Sequence, residues 1–451
     1  MQDAASIRQV IGIVREQAKD GLCVVFSAMK GITDDLIAAA KNAEEGRTDY
    51  LDIIARIRAR QERAVEGLFP APERKKALAP LLARCDELLD ILHGVELVKE
   101  CSPRTLDLIM SFGERLNCRL IASVMAAMGT QASYCDARSL IVTDERYGSA
   151  RVVFAPSYRK IKRKLSSPRG IAVVTGFIGA SADGVTTTLG RNGSDYTAAI
   201  VAAALDADSL EIWKDVDGVL SADPGVVRDA FVIKELSYEE AMELSFFGAE
   251  VIHPSTMRPV MEKDIPIWVK NTLNPAVAGT RIAHGIKRHA RPITSIASLK
   301  NVAIINVEGS GMRGTLGIAS RVFAALAKAD VNVIMISQAS SEYSICIVVR
   351  ADQAKRALAG LKAELGRELA ARQIENFQLL KDLEIIAVIG ENMRGVPGLS
   401  GRLFSALGGK KISVLAIAQG SSERNVSFVI ESKDAREAVN AIHRAFFGKT
   451  R

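Results

Sequence analysis

The chain has 451 residues, enough for two to four domains at about 100–200 residues each. Lysine and arginine total 59 against 52 acids, a net charge of +7 with the signs interleaved, so no basic run marks a nucleic-acid face, while an anionic substrate suits the balance. No apolar run reaches the ~18 residues of a membrane span, and the six cysteines show neither C-x-x-C spacing nor a zinc pattern, so the expectation is a reduced, cytoplasmic protein without membrane or nucleic-acid partners and without a protein-bound metal site.

Met1-Gln2-Asp3 opens almost directly into a helix pattern, Ala4–Ala18, with no apolar signal core. Leu22–Ser27 is a short apolar run that suits a buried strand, and a helix pattern follows from Asp34. Residues 50–100 carry Leu, Ala, Arg and Glu at helical spacing and read as an all-helical insertion, with breaks predicted at Pro70, Pro72 and Pro80. Thr105–Met128 reads as one helix, Ile171–Gly176 as a strand, Ser194–Leu205 as an Ala-rich helix and Ser209–Trp213 as a strand. Strands alternating with helices predict a mostly parallel sheet between helical layers. Residues 283–292 read as a linker. After it, residues 307–349 recur at 388–430: Met312 returns as Met393 and Gln338 as Gln419, a constant offset of 81. Each copy reads as a βαββ unit.

Two segments concentrate chemistry. Thr186–Asp195 (TTTLGRNGSD) precedes a helix. Its glycines allow close backbone approach to a ligand, amides at a helix start attract anions, and Arg191 can grip a carboxylate or phosphate with two prongs. Gly193, Ser194 and Asp195 complete the candidate substrate turn, and the plain alternative is a turn with an N-cap. Glu211–Val219 (EIWKDVDGV) sets Asp215, Asp217 and Gly218 on a loop at a strand end, where open α/β sheets bind ligands and where a nucleotide or its Mg²⁺ could be met; the alternative is an ordinary Asp-Gly turn. Ser27–Thr33 is a strand-to-helix turn bearing hydroxyls, and Glu114 lies near a helix start. No GxxxxGK[ST] loop and no nucleophile triad is present, and direct phosphoryl transfer requires neither.

Taken in order, TTTLGRNGSDYTAA, EIWKDVDGV, SYEEAMELSFFGAEVIHP and VKNTLNPAVAGTRI resemble the aspartokinase family over almost the whole chain. ITSIASLKNVAIINVEGSGM, VIMISQASSEYS and IAQGSSERN resemble the kinase half of bifunctional aspartokinase–homoserine dehydrogenases. The resemblance implies an α/β amino-acid-kinase fold over 1–285, holding the insertion at 50–100, then ACT domains at 294–375 and 380–449. It implies ATP- and Mg²⁺-dependent phosphorylation of L-aspartate to 4-phospho-L-aspartate, the entry to lysine, threonine and methionine. By motif position Thr33, Glu114, Arg191 and Asp195 would hold aspartate, with Asp195 and Arg191 at the chemistry, and Lys214 and Asp215 would meet the nucleotide. Gln338 and Gln419 would bind an amino-acid effector, threonine by the same subgroup, and a homo-oligomer, dimer or tetramer, is implied. The chain opens past the family's Lys-Phe-Gly-Gly strand and stops where a dehydrogenase half would begin, so neither is expected. Glu250 stands where the family has Lys, Gly225 where it has Arg, Leu220 where it has Tyr or Phe, and Lys214 where it has Thr. These departures keep a second reading open, an aspartokinase-like amino-acid sensor or regulatory subunit without catalysis.

Overall fold

The computed structural model describes residues 1–17, 21–166, 170–248, 252–286, 291–312, 316–338 and 343–448. They form two compact units, Met1–Asp217 with Ile252–His284, and Gly218–Val251 with Gly285–Arg451. The chain therefore passes from one unit to the other within the WKDVDGV loop.

The first unit runs α1 (Ala4–Glu16), β1 (Cys23–Phe26), α2 (Ile32–Glu44), α3 (Asp49–Leu68), α4 (Ala71–Val98), α5 (Pro103–Met110), α6 (Phe112–Ala127), β2 (Ala132–Cys135), β3 (Val142–Thr143), α7 (Phe154–Leu165), β4 (Ile171–Thr175), β5 (Ile178–Ser181), β6 (Thr186–Thr188), α8 (Gly193–Ala204) and β7 (Leu210–Lys214). The chain then gives β8 (Glu235–Leu236) and α9 (Tyr238–Phe246) to the second unit and returns with α10 (Pro254–Met261), β9 (Ile267–Asn271) and β10 (Thr280–Ile282). Strand β4 is buried along its whole length, which its unbroken IAVV run requires. It pairs in parallel with β1 on one side and β2 on the other; β7 is parallel to β9 and β3 to β5. One core joins α1–α4 and α6 to β1 and β4, and a second packs α7 and α8 against β2, β4 and β5.

Two local expectations are corrected. Pro80 does not break its helix: α4 continues through it, because Leu81, Cys85, Leu88, Leu92 and Val95 bury a continuous face that offsets the roughly 3 kcal/mol cost of an interior proline. Pro72 sits in the first turn, where no amide hydrogen is needed. The helix expected over 105–128 is two, divided at Ser111, whose hydroxyl donates to the Leu108 carbonyl at 2.6 Å, a local bond that competes with the helix ladder. The break puts Glu114 in the first turn of α6.

The second unit continues with β11 (Ser295–Glu308), α11 (Ile318–Lys328), β12 (Val333–Gln338), β13 (Ser344–Arg350), α12 (Ala354–Glu364), α13 (Gly366–Ala370), β14 (Asn376–Ile389), α14 (Leu399–Gly408), β15 (Ala416–Gln419), β16 (Asn425–Glu431) and α15 (Ala435–Phe447). The two repeats form one antiparallel six-stranded sheet, ordered β12-β13-β11-β14-β16-β15, with β11 against β14 at its centre. Each copy covers it with its own helices, α11 and α12 in the first core, α14 and α15 in the second. No helix among the described residues is long and apolar enough to cross a membrane.

Candidate active site

Strands β1 and β4 end side by side, and the Gly176 amide donates to the Phe26 carbonyl at 2.8 Å. Helix α8 starts directly on this backbone. A Cβ at Gly176 would lie 2.4 Å from Ser194 Oγ and 2.8 Å from its Cα, and one at Gly193 would lie 2.8 Å from Phe177 Cδ2. Thr197 fastens the helix from behind, accepting the Phe177 amide at 3.1 Å and donating to the Gly193 carbonyl at 2.9 Å. Gly190 (φ +78°) and Asn192 (φ +54°) are left-handed, a conformation glycine and asparagine tolerate best. The turn so formed leaves Arg191 exposed, with no hydrogen bond or ion pair to another described residue.

Helix α6 lies over the same two strand ends, with Cys118 Sγ 3.6 Å from the Phe26 carbonyl and 3.5 Å from that of Val174. Asn117 donates to the Ser27 carbonyl at 2.6 Å, and the Ala28 amide donates to Glu114 Oε1 at 3.0 Å. Among the described residues Glu114 Oε2, which is buried, has no hydrogen-bond partner, and none of their cations pairs with the carboxylate. Burial therefore pushes the Glu114 carboxyl up to about 8. Thr33 lies half-buried in the first turn of α2, just past this turn.

Strand β7 delivers Lys214, whose Nζ is 3.2 Å from Asp195 Oδ2, so one ion pair joins the candidate substrate turn to the WKDVDGV loop. Glu211 stiffens that strand, accepting from Trp213 Nε1 at 2.9 Å and pairing with Lys270 at 2.6 Å. Asp217 accepts from Asn271 at 2.7 Å and Asn274 at 3.4 Å, while Asp215 is exposed. Gly218 has φ +138°. Glu114, Ser194, Asp195 and Lys214 thus meet at the ends of parallel strands, as expected of α/β sheets.

Asp107 on α5 escaped the motif reading. It is fully buried and accepts from Thr188 and Gly148, and its only signal was an acid set between Leu106 and Leu108 on an apolar helix. Gly225 lies in a tight turn, its amide donating to Asp223 Oδ1 at 2.8 Å and its carbonyl accepting from Arg436 at 2.7 Å. Glu250 lies outside the described residues. In the second unit Gln338 and Gln419 sit exposed at the ends of the edge strands β12 and β15. These edges meet where Ser337 Oγ donates to the Ile417 carbonyl at 3.0 Å.

The profile of the amino acid kinase family matches residues 1–271, and that of the ACT domain matches 305–365 and 386–446. Aspartokinase 1, chloroplastic, of Arabidopsis thaliana is 31% identical over 463 residues, covering 98% of this chain and 78% of the relative. The chain belongs to the aspartokinases. The bifunctional aspartokinase/homoserine dehydrogenase 1, chloroplastic, of the same plant is 34% identical over 449 residues, or 98% of this chain and 49% of the relative, so the chain spans about half the length of the bifunctional aspartokinases it matches. Among solved structures, E. coli aspartokinase III with aspartate and ADP (R-state) superposes with a TM-score of 0.80 at 28% identity, covering 99% of this chain and 97% of that one. The same aspartokinase with lysine and aspartate (T-state) gives 0.78 at 29%, with 99% and 97% covered.

Proposed function

We propose that this chain transfers the γ-phosphoryl of ATP to the side-chain carboxylate of L-aspartate, giving 4-phospho-L-aspartate and ADP. The observation that carries the reading is Glu114: a buried carboxylate oxygen without a donor marks the place of a cation, and the substrate ammonium supplies one. Arg191, exposed and without a partner among the described residues, would take a substrate carboxylate with two prongs. Ser194 at the α8 N-terminus would favour its negative charge, while the Gly193 amide closes the turn on the Gly190 carbonyl at 3.1 Å. Thr33 would close the substrate pocket beside Glu114. Asp195 would orient the acceptor, and Lys214, held against Asp195, would balance charge on the transferring phosphoryl. Asp215, Asp217 and Gly218 would border the nucleotide. Two Asn side chains share one oxygen of Asp217, so the more exposed Asp215 would be the carboxylate that meets Mg²⁺. A single carboxylate suits an ion that arrives on substrate phosphates, where it would spread charge between the phosphoryl oxygens.

The ACT pair would bind an amino-acid effector beside Gln338 and Gln419, threonine by its resemblance, whereas the E. coli structure holds lysine. Exposed Ile336 and Ile417 on the same edge strands suit pairing with a second copy, hence a dimer or tetramer. The step would open lysine, threonine and methionine synthesis in the cytoplasm.

Trapping the acyl phosphate with hydroxylamine tests the activity: aspartyl hydroxamate and ADP are expected in equal amounts, dependent on both substrates. ADP release indifferent to aspartate would sink the reading. Gly225, which offers no side chain in the Asp223–Pro224–Gly225 turn, favours the second reading, a non-catalytic amino-acid sensor. Threonine binding in calorimetry without any binding of Mg·ATP would establish it.

A further inference from the structure

We propose that Asp107 is a positioning residue for the substrate turn Leu189–Asp195, acting through Thr188 and Gly148; this rests on the reading of that turn as the aspartate site. Asp107 is fully buried and uses both carboxylate oxygens. Oδ1 accepts the Thr188 hydroxyl at 2.8 Å and Oδ2 the Thr188 amide at 2.9 Å. The Gly148 amide is shared between the two oxygens, 3.0 Å from each. The Thr188 carbonyl in turn accepts the Ala150 amide at 2.9 Å. One carboxylate therefore ties the residue before the turn to the 148–150 segment, against which Gly190 packs closely enough that a Cβ there would sit 3.3 Å from the Gly148 carbonyl.

The turn is held at its two ends. Thr197 secures the α8 end, and Asp107 with the Leu189 amide's bond to the Phe177 carbonyl secures the other. Between them Arg191 has no partner among the described residues and α8 has no side-chain cap, so the direction in which Arg191 leaves the backbone is set by those anchors. Four donor contacts on a buried anion are charge-assisted and expensive to unmake, which makes Asp107 a stiff anchor for a turn that must meet a small substrate within about half an ångström.

The test compares Asp107→Asn, Thr188→Val and Thr188→Ser with the parent chain, measuring melting temperature and KM for both substrates. Asparagine turns an amide donor toward donors that the carboxylate satisfied. The expected result is a rise of about tenfold or more in KM for L-aspartate, with KM for Mg·ATP unchanged, a smaller rise in Thr188→Val and parental behaviour in Thr188→Ser. If Asp107→Asn does not fold, Thr188→Val alone carries the comparison. A folded variant with unaltered KM for aspartate, or with both KM values and kcat moved in parallel, overturns the proposal and leaves Asp107 a brace of the fold. Failure of the parent chain to phosphorylate aspartate would instead overturn the reading on which the proposal stands.

Discussion

Glu114 sets the pH response of the proposed site. Its folded carboxyl titrates near 8, so at neutral pH the empty site holds it largely protonated. An ammonium partner favours the ionised form, and binding aspartate must then expel a proton. The affinity for aspartate should rise with pH, by up to about tenfold per unit below 8, and level off above it. The same raised value fixes the sign for stability: burial of Glu114 costs least below its ordinary value of 4.5, costs progressively more as pH rises from there to about 8, and levels off above it. Glu114→Gln removes the titration. Its dissociation constant for aspartate should be about 10- to 100-fold weaker, the loss of a charge-assisted bond, and flat between pH 6 and 8. Calorimetry in buffers of differing ionisation heat counts the proton directly; equal profiles for parent and variant would exclude Glu114 as the ammonium partner.

At the scale of elements, the seat of α8 on β4 is the sensitive joint. Alanine at Gly176 would drive its Cβ into the Ser194 Cα, 2.8 Å away. That is backbone, so the helix start must shift. Gly176→Ala should keep its circular dichroism and lose about 100-fold or more in kcat/KM for aspartate. Gly12, inside α1 with nothing within 4 Å of its Cβ position, is the contrast: Gly12→Ala should stabilise by about 0.5–1 kcal/mol without touching kinetics. Thermal melts and steady-state assays of the two variants separate the cases. The elements around this joint were legible because β1, β4 and β7 are short apolar runs closed by turn residues, and the repeat was legible because Met312, Gln338 and their partners keep one offset. The division at Ser111 was not, since apolar periodicity runs through it and only a hydroxyl bond to Leu108 interrupts the ladder. The seat of Asp107 was hidden for another reason: its partner Thr188 is 81 residues away, and no local pattern announces a contact made by the fold. Lys214 and Asp195 stood in separate motifs, read for separate ligands, and only the parallel strand ends bring them within an ion pair.

At the scale of the molecule, the segment following the proposed nucleotide loop is built into the unit that carries the ACT repeats. Ser221 is its peg. Its carbonyl accepts the Ile296 amide at 2.9 Å, and its hydroxyl accepts the Phe231 amide at 3.1 Å and lies 3.0 Å from His443 Nε2 on α15. Ser295 Oγ donates to the Leu220 carbonyl at 2.8 Å, and Asn440 to that of Val226 at 3.0 Å. Gly218 follows Asp217 directly, so strain that the proposed effector placed on β11 or α15 would have the chain itself as a path to the WKDVDGV loop. Burial lowers the His443 proton affinity, opposed by Asp229 and aided by Arg291, which favours the neutral ring that can share the Ser221 hydroxyl. An effector should then act mainly on KM for ATP. Ser221→Ala should leave threonine binding intact, as read by calorimetry, while reducing the threonine-induced change in KM for ATP severalfold, since a two-site coupling of about 1–3 kcal/mol depends on each contact that differs between states. His443→Gln, which keeps a hydrogen-bonding group toward Ser221, should fall between parent and Ser221→Ala. A threonine response of full size in Ser221→Ala would show that the effector reaches the nucleotide by a route other than this peg.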